Sequence, residues 1–128
     1  MSSKIIQTAL LAAGLMLLSA TQAALAGDQY GAIAYDLENG AYGYAVQYHT
    51  RKDAEQMALQ HCWEALDGKD GECAVELWFK NSYGALAEGD NGFGTGWGNN
   101  KNEAQYQAMK VCERHTANCD ITITVASE

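Results

Sequence analysis

The sequence predicts an α+β protein in which a strand–strand–helix–strand unit occurs twice, with the helices packed on an antiparallel or mixed sheet. Three observations support this fold class. The five-residue motif YGAIA at residues 30–34 recurs as YGALA at residues 83–87, and we call this motif the repeated word. An Asn-Gly pair and then a capped helical segment follow each word, and each copy ends in an alternating apolar run. The two repeats span about residues 30–80 and 83–125 and are expected to form a single disulfide-stapled domain.

The first 26 residues precede this repeat and have the composition of an export signal. Lys4 is their one charged residue, an apolar run extends over Ala9–Leu18, and Ala24 and Ala26 stand before a cut at Gly27. A cut three residues earlier is the alternative. The run is shorter than the roughly 20 residues of a membrane span. We therefore expect a mature chain of residues 27–128 that is periplasmic or secreted and is not inserted into the membrane.

In each copy the repeated word predicts the first strand. Its glycine leaves room for close approach by backbone or by an aromatic ring, and its small alternating residues suit a strand beneath a helix. The pairs Asn39–Gly40 and Asn91–Gly92 then predict tight hairpins, since both residue types tolerate positive φ. A glycine–aromatic pair aligns the second strands, Gly43–Tyr44 with Gly96–Trp97.

Each helix is predicted to begin at a capping pair, Thr50 with Asp53 and Asn100 with Glu103. Small and apolar residues share one face of each helix: Ala54, Met57, Ala58, Cys62, Ala65 and Leu66 in the first, and Ala104, Ala108, Val111 and Cys112 in the second.

The last strand of each copy alternates. In the first, Val75, Leu77 and Phe79 are expected on one face and Glu76, Trp78 and Lys80 on the other. In the second, Ile121, Ile123 and Val125 are expected on one face and Thr122 and Thr124 on the other.

The residues after position 26 carry all 16 acidic side chains and 7 of the 8 basic ones, a net charge of −9. Nucleic acid and anionic lipid repel such a surface. The charge suits a basic protein partner, although solubility alone also accounts for it. We therefore expect no nucleic-acid binding, while the oligomeric state stays open.

The predicted mature chain has four cysteines, for which disulfides are the default after export. Each helix ends near one cysteine, and the next strand begins with another. This proximity favours the pairs Cys62–Cys73 and Cys112–Cys119. The repeat is equally compatible with the helix-to-helix alternative, in which Cys62 pairs with Cys112 and Cys73 with Cys119, so that alternative stays open.

These residues resemble the bacterial domain of unknown function 4189 family. The resemblance rests on the repeated word, the glycine-rich hairpins, the alanine-rich helices ending in cysteine, and Trp78–Phe79 in a strand opened by a second cysteine. It covers residues 30–125. It implies a small secreted or periplasmic protein. No general activity is assigned to the family, so the resemblance supplies no catalytic residues.

The chain has no motif typical of a metal site, a phosphate site or a catalytic nucleophile. His61–Cys62 and residues 112–115 carry zinc-type ligands, but the cysteine spacings differ from those of zinc knuckles. The glycine-rich run at residues 88–100 is acidic where a phosphate loop needs lysine, and it lacks the alternating acids of a calcium loop. Ser82 and Ser127 lack a catalytic motif. We expect no cofactor, no metal and no catalytic residue.

Aromatic residues are the remaining candidates for a function. Tyr42, Tyr44, Phe93 and Trp97 are predicted on the two hairpins, and Trp78 on the polar face of a third strand. Exposed Tyr and Trp dominate protein-binding hot spots, whereas buried ones form the core of a small sheet protein. Trp78 and Trp97 are the two that we expect to be partly exposed.

The sequence thus favours an exported, non-catalytic interaction module, with these five aromatic residues as its candidate binding site. One alternative is a periplasmic inhibitor or immunity protein that masks a basic cell-wall hydrolase or toxin, because the mature chain is acidic and carries an export signal. Another is an enzyme acting on glycan, which would require two converging carboxylates.

Overall fold

Each copy of the repeat forms its own three-stranded sheet with a helix on the outer face. The structure, a computed structural model, describes residues 27–128, and the predicted export signal lies outside the described residues. The first copy comprises β1 (Tyr30–Asp36), β2 (Ala41–Tyr48), α1 (Arg51–Leu66) and β3 (Ala74–Lys80). The second comprises β4 (Ser82–Glu88), β5 (Phe93–Gly98), α2 (Lys101–His115) and β6 (Asp120–Ser127). The predicted element order and the α+β class are confirmed.

The sheets have the strand orders β2-β1-β3 and β5-β4-β6, and every neighbouring pair is antiparallel. Their inner faces pack on each other, which gives four layers in the order helix, sheet, sheet, helix. The strand pattern did not reveal this division into two sheets. It arises because β1 and β4 are buried on both faces and need cover on both: their alanines lie beneath a helix, while Ile33 and Leu86 lie between the sheets.

The glycines of the repeated word make room for one aromatic ring. Phe79 is 2% exposed and lies between the sheets. A Cβ on Gly31 would lie 2.4 Å from Phe79 Cζ, and a Cβ on Gly84 would lie 2.4 Å from Phe79 Cε1. Both sheets therefore approach the same ring at a position without a side chain, as the sequence predicts.

The last strands share an irregularity that reverses their side-chain alternation. The pairing of β3 with β1 skips Glu76, and the pairing of β6 with β4 skips Thr122. Ile121 consequently packs beneath α2, whereas Ile123 and Val125 lie between the sheets. The prediction that these three side chains share one face was wrong.

The glycines of β2 and β5 bring each helix onto the strand backbone. A Cβ on Gly43 would lie 2.2 Å from the backbone nitrogen of the buried cysteine of α1, and a Cβ on Gly94 would lie 2.2 Å from the corresponding nitrogen of α2. These two glycines are therefore equivalent. The alignment of Gly43 with Gly96 was wrong by two residues, and the counterpart of Trp97 is Val46.

Both helices begin as predicted, with Thr50 Oγ1 accepting from Asp53 N at 3.1 Å and Asn100 Oδ1 accepting from Glu103 N at 2.9 Å. Their sheet-facing sides are buried at Ala54, Ala58, Cys62 and Leu66 in α1 and at Ala104, Ala108 and Cys112 in α2. Ala65, expected on that side, is exposed.

A disulfide joins each helix to the strand that follows it. The Sγ atoms of Cys62 and Cys73 are 2.05 Å apart, and those of Cys112 and Cys119 are 2.00 Å apart. The pairing by proximity is confirmed, and the helix-to-helix alternative is excluded.

A buried carboxylate anchors the first hairpin to the segment before β3. Asp36 is 1% exposed and accepts hydrogen bonds from Asn39 N at 2.9 Å, Asn39 Nδ2 at 2.9 Å and Glu72 N at 2.8 Å. Burial alone would raise the pKa of Asp36. The hydrogen bonds outweigh burial and hold the pKa below its ordinary value of 3.8.

Candidate binding groove

The two sheets meet along two seams that the repeat makes equivalent but that differ in the structure. At the β2–β6 seam, Gln47 N donates to Ser127 Oγ at 3.0 Å, and the Gln47 side-chain amide donates to the Ala126 carbonyl at 3.4 Å. At the β3–β5 seam, the described residues make one such contact, from Thr95 Oγ1 to the Glu76 carbonyl at 3.4 Å. Open space lies beside this contact of the β3–β5 seam.

We name this open space the β3–β5 groove. It is bordered by Glu76–Lys80 of β3, by Phe93–Trp97 of β5 and by one side of α2. Three adjoining cavities of about 660, 440 and 300 Å³ make up the groove. The first two share Glu76, and the last two share Trp97. Their volumes are of the size that proteins use for ligand sites, about 300–1,000 Å³.

One side of α2 forms the outer wall of the groove. The residues that border it recur at every fourth position: Glu103, Gln107, Val111 and His115. This spacing places side chains on one helical face. Glycine in β5 lets the helix lie close enough to border the groove, since a Cβ on Gly96 would lie 2.4 Å from Ala108 N.

Glu76 lies where the two larger cavities of the groove meet. The bulge in β3 removes this residue from the regular register and presents it at the seam. Within residues 27–128, its carboxylate makes no salt bridge and accepts no side-chain hydrogen bond, and burial raises its pKa above the ordinary value of 4.5. Glu76 is nevertheless an exposed residue, so the groove presents an accessible carboxylate that has no counterion among the described residues.

Two tryptophans accompany Glu76 in the cavity of about 440 Å³. Trp78 is 40% exposed and Trp97 is 53% exposed, as expected from the sequence. The guanidinium carbon of Arg51 lies 4.3 Å from the ring centroid of Trp78, and its Nε lies 3.3 Å from Glu55 Oε1. Among the described residues, no cation lies over the ring of Trp97.

The other three predicted aromatic residues divide between the groove and β2. Phe93 borders the cavity of about 660 Å³ and packs on Tyr35, with ring centroids 4.2 Å apart. Tyr42 and Tyr44 lie on β2, where they border a separate depression of about 300 Å³ with His61. The groove therefore brings together Phe93 and the two tryptophans but neither tyrosine.

Glu76 is exposed, as its place among the polar residues of the alternating strand predicts, but a single exposed acid does not by itself indicate a binding site. Nothing in the sequence indicated the α2 wall, including His115, because none of its residues belongs to a binding motif. A signal for Glu76 was present in the repeat. It follows Cys73 by the same three positions by which Thr122 follows Cys119, so the two bulged residues are equivalent.

Indole faces beside a carboxylate attract cationic groups, so the groove is chemically suited to binding a base. Its two carboxylates, those of Glu76 and Glu103, border different cavities. Within residues 27–128, no three His, Cys, Asp or Glu side chains are arranged to hold a metal ion.

Comparison with known proteins identifies a family. A family model described as Domain of unknown function (DUF4189) matches residues 30–126. No curated protein and no solved structure matches the chain. In residues 27–128, neither helix has the length and apolar character needed to cross a bilayer. The two disulfides are compatible with an exported protein.

Proposed function

The chain belongs to the DUF4189 family, and from its own geometry we propose that it is an exported, non-catalytic interaction module that holds a basic segment of a protein partner in the β3–β5 groove. One observation carries the proposal: Trp78, Trp97 and the unpaired Glu76 border a single cavity of about 440 Å³ between the edges of two sheets. Tryptophan is enriched in binding hot spots because it buries a large, rigid surface that can also donate a hydrogen bond.

The charge distribution supports a basic partner. The residues after position 26 carry a net charge of −9. The arginine and the lysine beside the groove are already paired with carboxylates, Arg51 with Glu55 at 3.3 Å and Lys80 with Asp28 at 3.1 Å. A basic partner would be steered by the overall field towards a groove with an uncompensated carboxylate, and its association should weaken as salt increases.

The two walls of the groove also suit an extended segment. β3 and β5 are edge strands, each paired with a neighbour on one side only. The free backbone groups of an edge strand can pair with an extended peptide, which is a recurring mode of peptide recognition. Alternate side chains of such a peptide would point to opposite sides, towards the tryptophans and towards the α2 wall.

A basic cell-wall hydrolase or toxin is the partner class that we propose first, which would make the protein an inhibitor or immunity protein. This narrower proposal rests on the net charge of −9 and on the export signal predicted in residues 1–26. The glycan-enzyme alternative gains no support from the groove, because its carboxylates border different cavities.

A photocrosslinker placed in the groove tests the proposal. Gln107, an exposed residue of the α2 wall, is replaced by p-benzoylphenylalanine in the full chain, so that Glu76 and both tryptophans stay in place. The chain is expressed in its own host, and intact cells are irradiated at low and high salt. The same replacement at Trp63, which is 47% exposed on α1 and lies outside the groove, is the matched control. We expect an adduct with a basic protein from position 107, reduced by salt, and none from position 63.

The absence of an adduct from position 107, equal adducts from both positions, or an acidic partner would refute the proposed function. Mass spectrometry of the adduct then tests the narrower proposal. A captured cell-wall hydrolase or toxin whose activity falls when the mature protein is added would support an inhibitor or immunity protein, and a partner of any other kind would exclude that role.

A further inference from the structure

Two bases near the groove are each held by an aromatic ring together with a carboxylate. The guanidinium carbon of Arg51 lies 4.3 Å from the ring centroid of Trp78, and a glutamate one turn along α1 pairs with its Nε at 3.3 Å. Lys80 Nζ lies 5.8 Å from the ring centroid of Tyr30 and 3.1 Å from Asp28 Oδ2. In this region, cation–π contact and ion pairing therefore act on the same base.

A third combination of ring and carboxylate in this region has no base. Trp97 and Glu76 border the same cavity, and within residues 27–128 no cation covers the one or pairs with the other. Lys80, the base on the wall of this cavity, is engaged by Asp28. The chain thus supplies the aromatic ring and the anion but leaves the position of the cation open.

We infer that an arginine side chain of the partner fills this position, with its guanidinium stacked on Trp97 and hydrogen-bonded to the carboxylate of Glu76. The inference names the group recognised at the groove and so rests on the proposed function. An arriving cation would stabilise the charged form of Glu76, whose pKa burial now raises.

Arginine fits this position better than lysine. A guanidinium is planar, stacks on an indole and presents a fork of donors that matches a carboxylate, whereas an ammonium is a compact and strongly hydrated charge. The internal contacts follow the same preference, since Trp78 holds Arg51 while the smaller ring of Tyr30 holds Lys80.

A small probe isolates this contact from the rest of any partner. The probe is the blocked tripeptide acetyl-Gly-Arg-Gly-amide, and its control carries citrulline, which has nearly the same shape without the charge. The indole N–H signals of the oxidised mature protein are followed by two-dimensional NMR. We expect the arginine peptide to shift the Trp97 signal saturably and to bind at least about tenfold more tightly than the citrulline peptide. The Trp63 signal should not move.

Two charge-matched variants locate the carboxylate. Glu76→Gln should weaken binding of the arginine peptide about three- to fivefold, because it removes an exposed charge but keeps the size of the side chain. Glu113→Gln changes the net charge equally at an exposed position outside the groove, and it should leave affinity within about twofold. Spectra with unchanged dispersion verify that both variants are folded.

Equal affinity for the citrulline peptide, no response of Trp97 up to the solubility limit of the peptide, or equal weakening by both variants would overturn the inference. Its failure is distinguishable from failure of the proposed function. A basic protein crosslinked from position 107 without arginine selectivity retains the function and removes the arginine site. Arginine selectivity without a crosslinked partner retains the site and removes the function.

Discussion

The variant Gly31→Ala should destabilise the protein, because the space for a methyl group is already occupied. The new Cβ would lie 2.4 Å from Phe79 Cζ, where ordinary contacts begin at 3.4 Å. The ring is confined on its other side, since a Cβ on Gly84 would lie 2.4 Å from Cε1. Overpacking of this kind costs about 1–3 kcal/mol. Alanine recovers about 0.5–1 kcal/mol as a better strand residue than glycine, so we expect a net loss of about 1–2 kcal/mol.

A double-mutant cycle with Phe79→Ala tests this reasoning. Removing the ring should cost about 3–5 kcal/mol by itself, and in that background Gly31→Ala should be neutral or stabilising. Urea unfolding followed by far-UV circular dichroism, with the disulfides intact, measures all four proteins. We expect a coupling energy of at least about 1 kcal/mol, since the two sites are in contact.

Additivity of the two substitutions would show that the ring is not what excludes the methyl group, and would refute this account of the repeated word. Gly84→Ala is the matched variant from the other copy and should behave alike. If Phe79→Ala is too unstable to measure, Phe79→Leu supplies a smaller truncation for the same cycle.

Further variants test the buried anchor and the disulfides. The pKa of Asp36 is depressed, so its contribution to stability is present above its ordinary value of 3.8 and is lost as pH falls through the folded value. In the variant Asp36→Asn, Tm should therefore fall less as the pH is lowered in the acidic range. An unchanged dependence of Tm on pH would contradict a stabilising role of the Asp36 carboxylate. Replacing Cys62 and Cys73 by alanine should cost about 2.8 kcal/mol, and replacing Cys112 and Cys119 about 2.5 kcal/mol, from loop closure at separations of 11 and 7 residues. Losses in urea unfolding that differ by more than about 1 kcal/mol would exclude loop length as the main cause.

Features set by neighbours in sequence could be predicted. The caps at Thr50 and Asn100 depend on a residue three positions away, and the disulfides close short loops. The glycine of the repeated word indicated close approach of an aromatic ring, and Phe79 supplies it. In each case a few residues that are close in sequence are enough to indicate the contact.

The groove could not be predicted in the same way, because its walls are edge strands from different copies. Trp78 and Trp97 were each expected to be partly exposed, but that they share a cavity depends on how the two sheets pack. The position of Glu76 depends on a bulge that shifts the pairing of β3 by one residue. Regular alternation assumes an unbroken register, so it also misplaced Ile121.

The unequal seams determine how many partners one molecule can hold. A chain with two identical halves would present the groove twice and could bridge two partner molecules. At the β2–β6 seam, Gln47 N is hydrogen-bonded to Ser127 Oγ. Val46 and Thr122 are the counterparts of Trp97 and Glu76, so the binding groups of the groove are not repeated in the other half of the repeat. Binding at this groove would be monovalent, and each bound molecule would be sequestered singly instead of being crosslinked into larger assemblies.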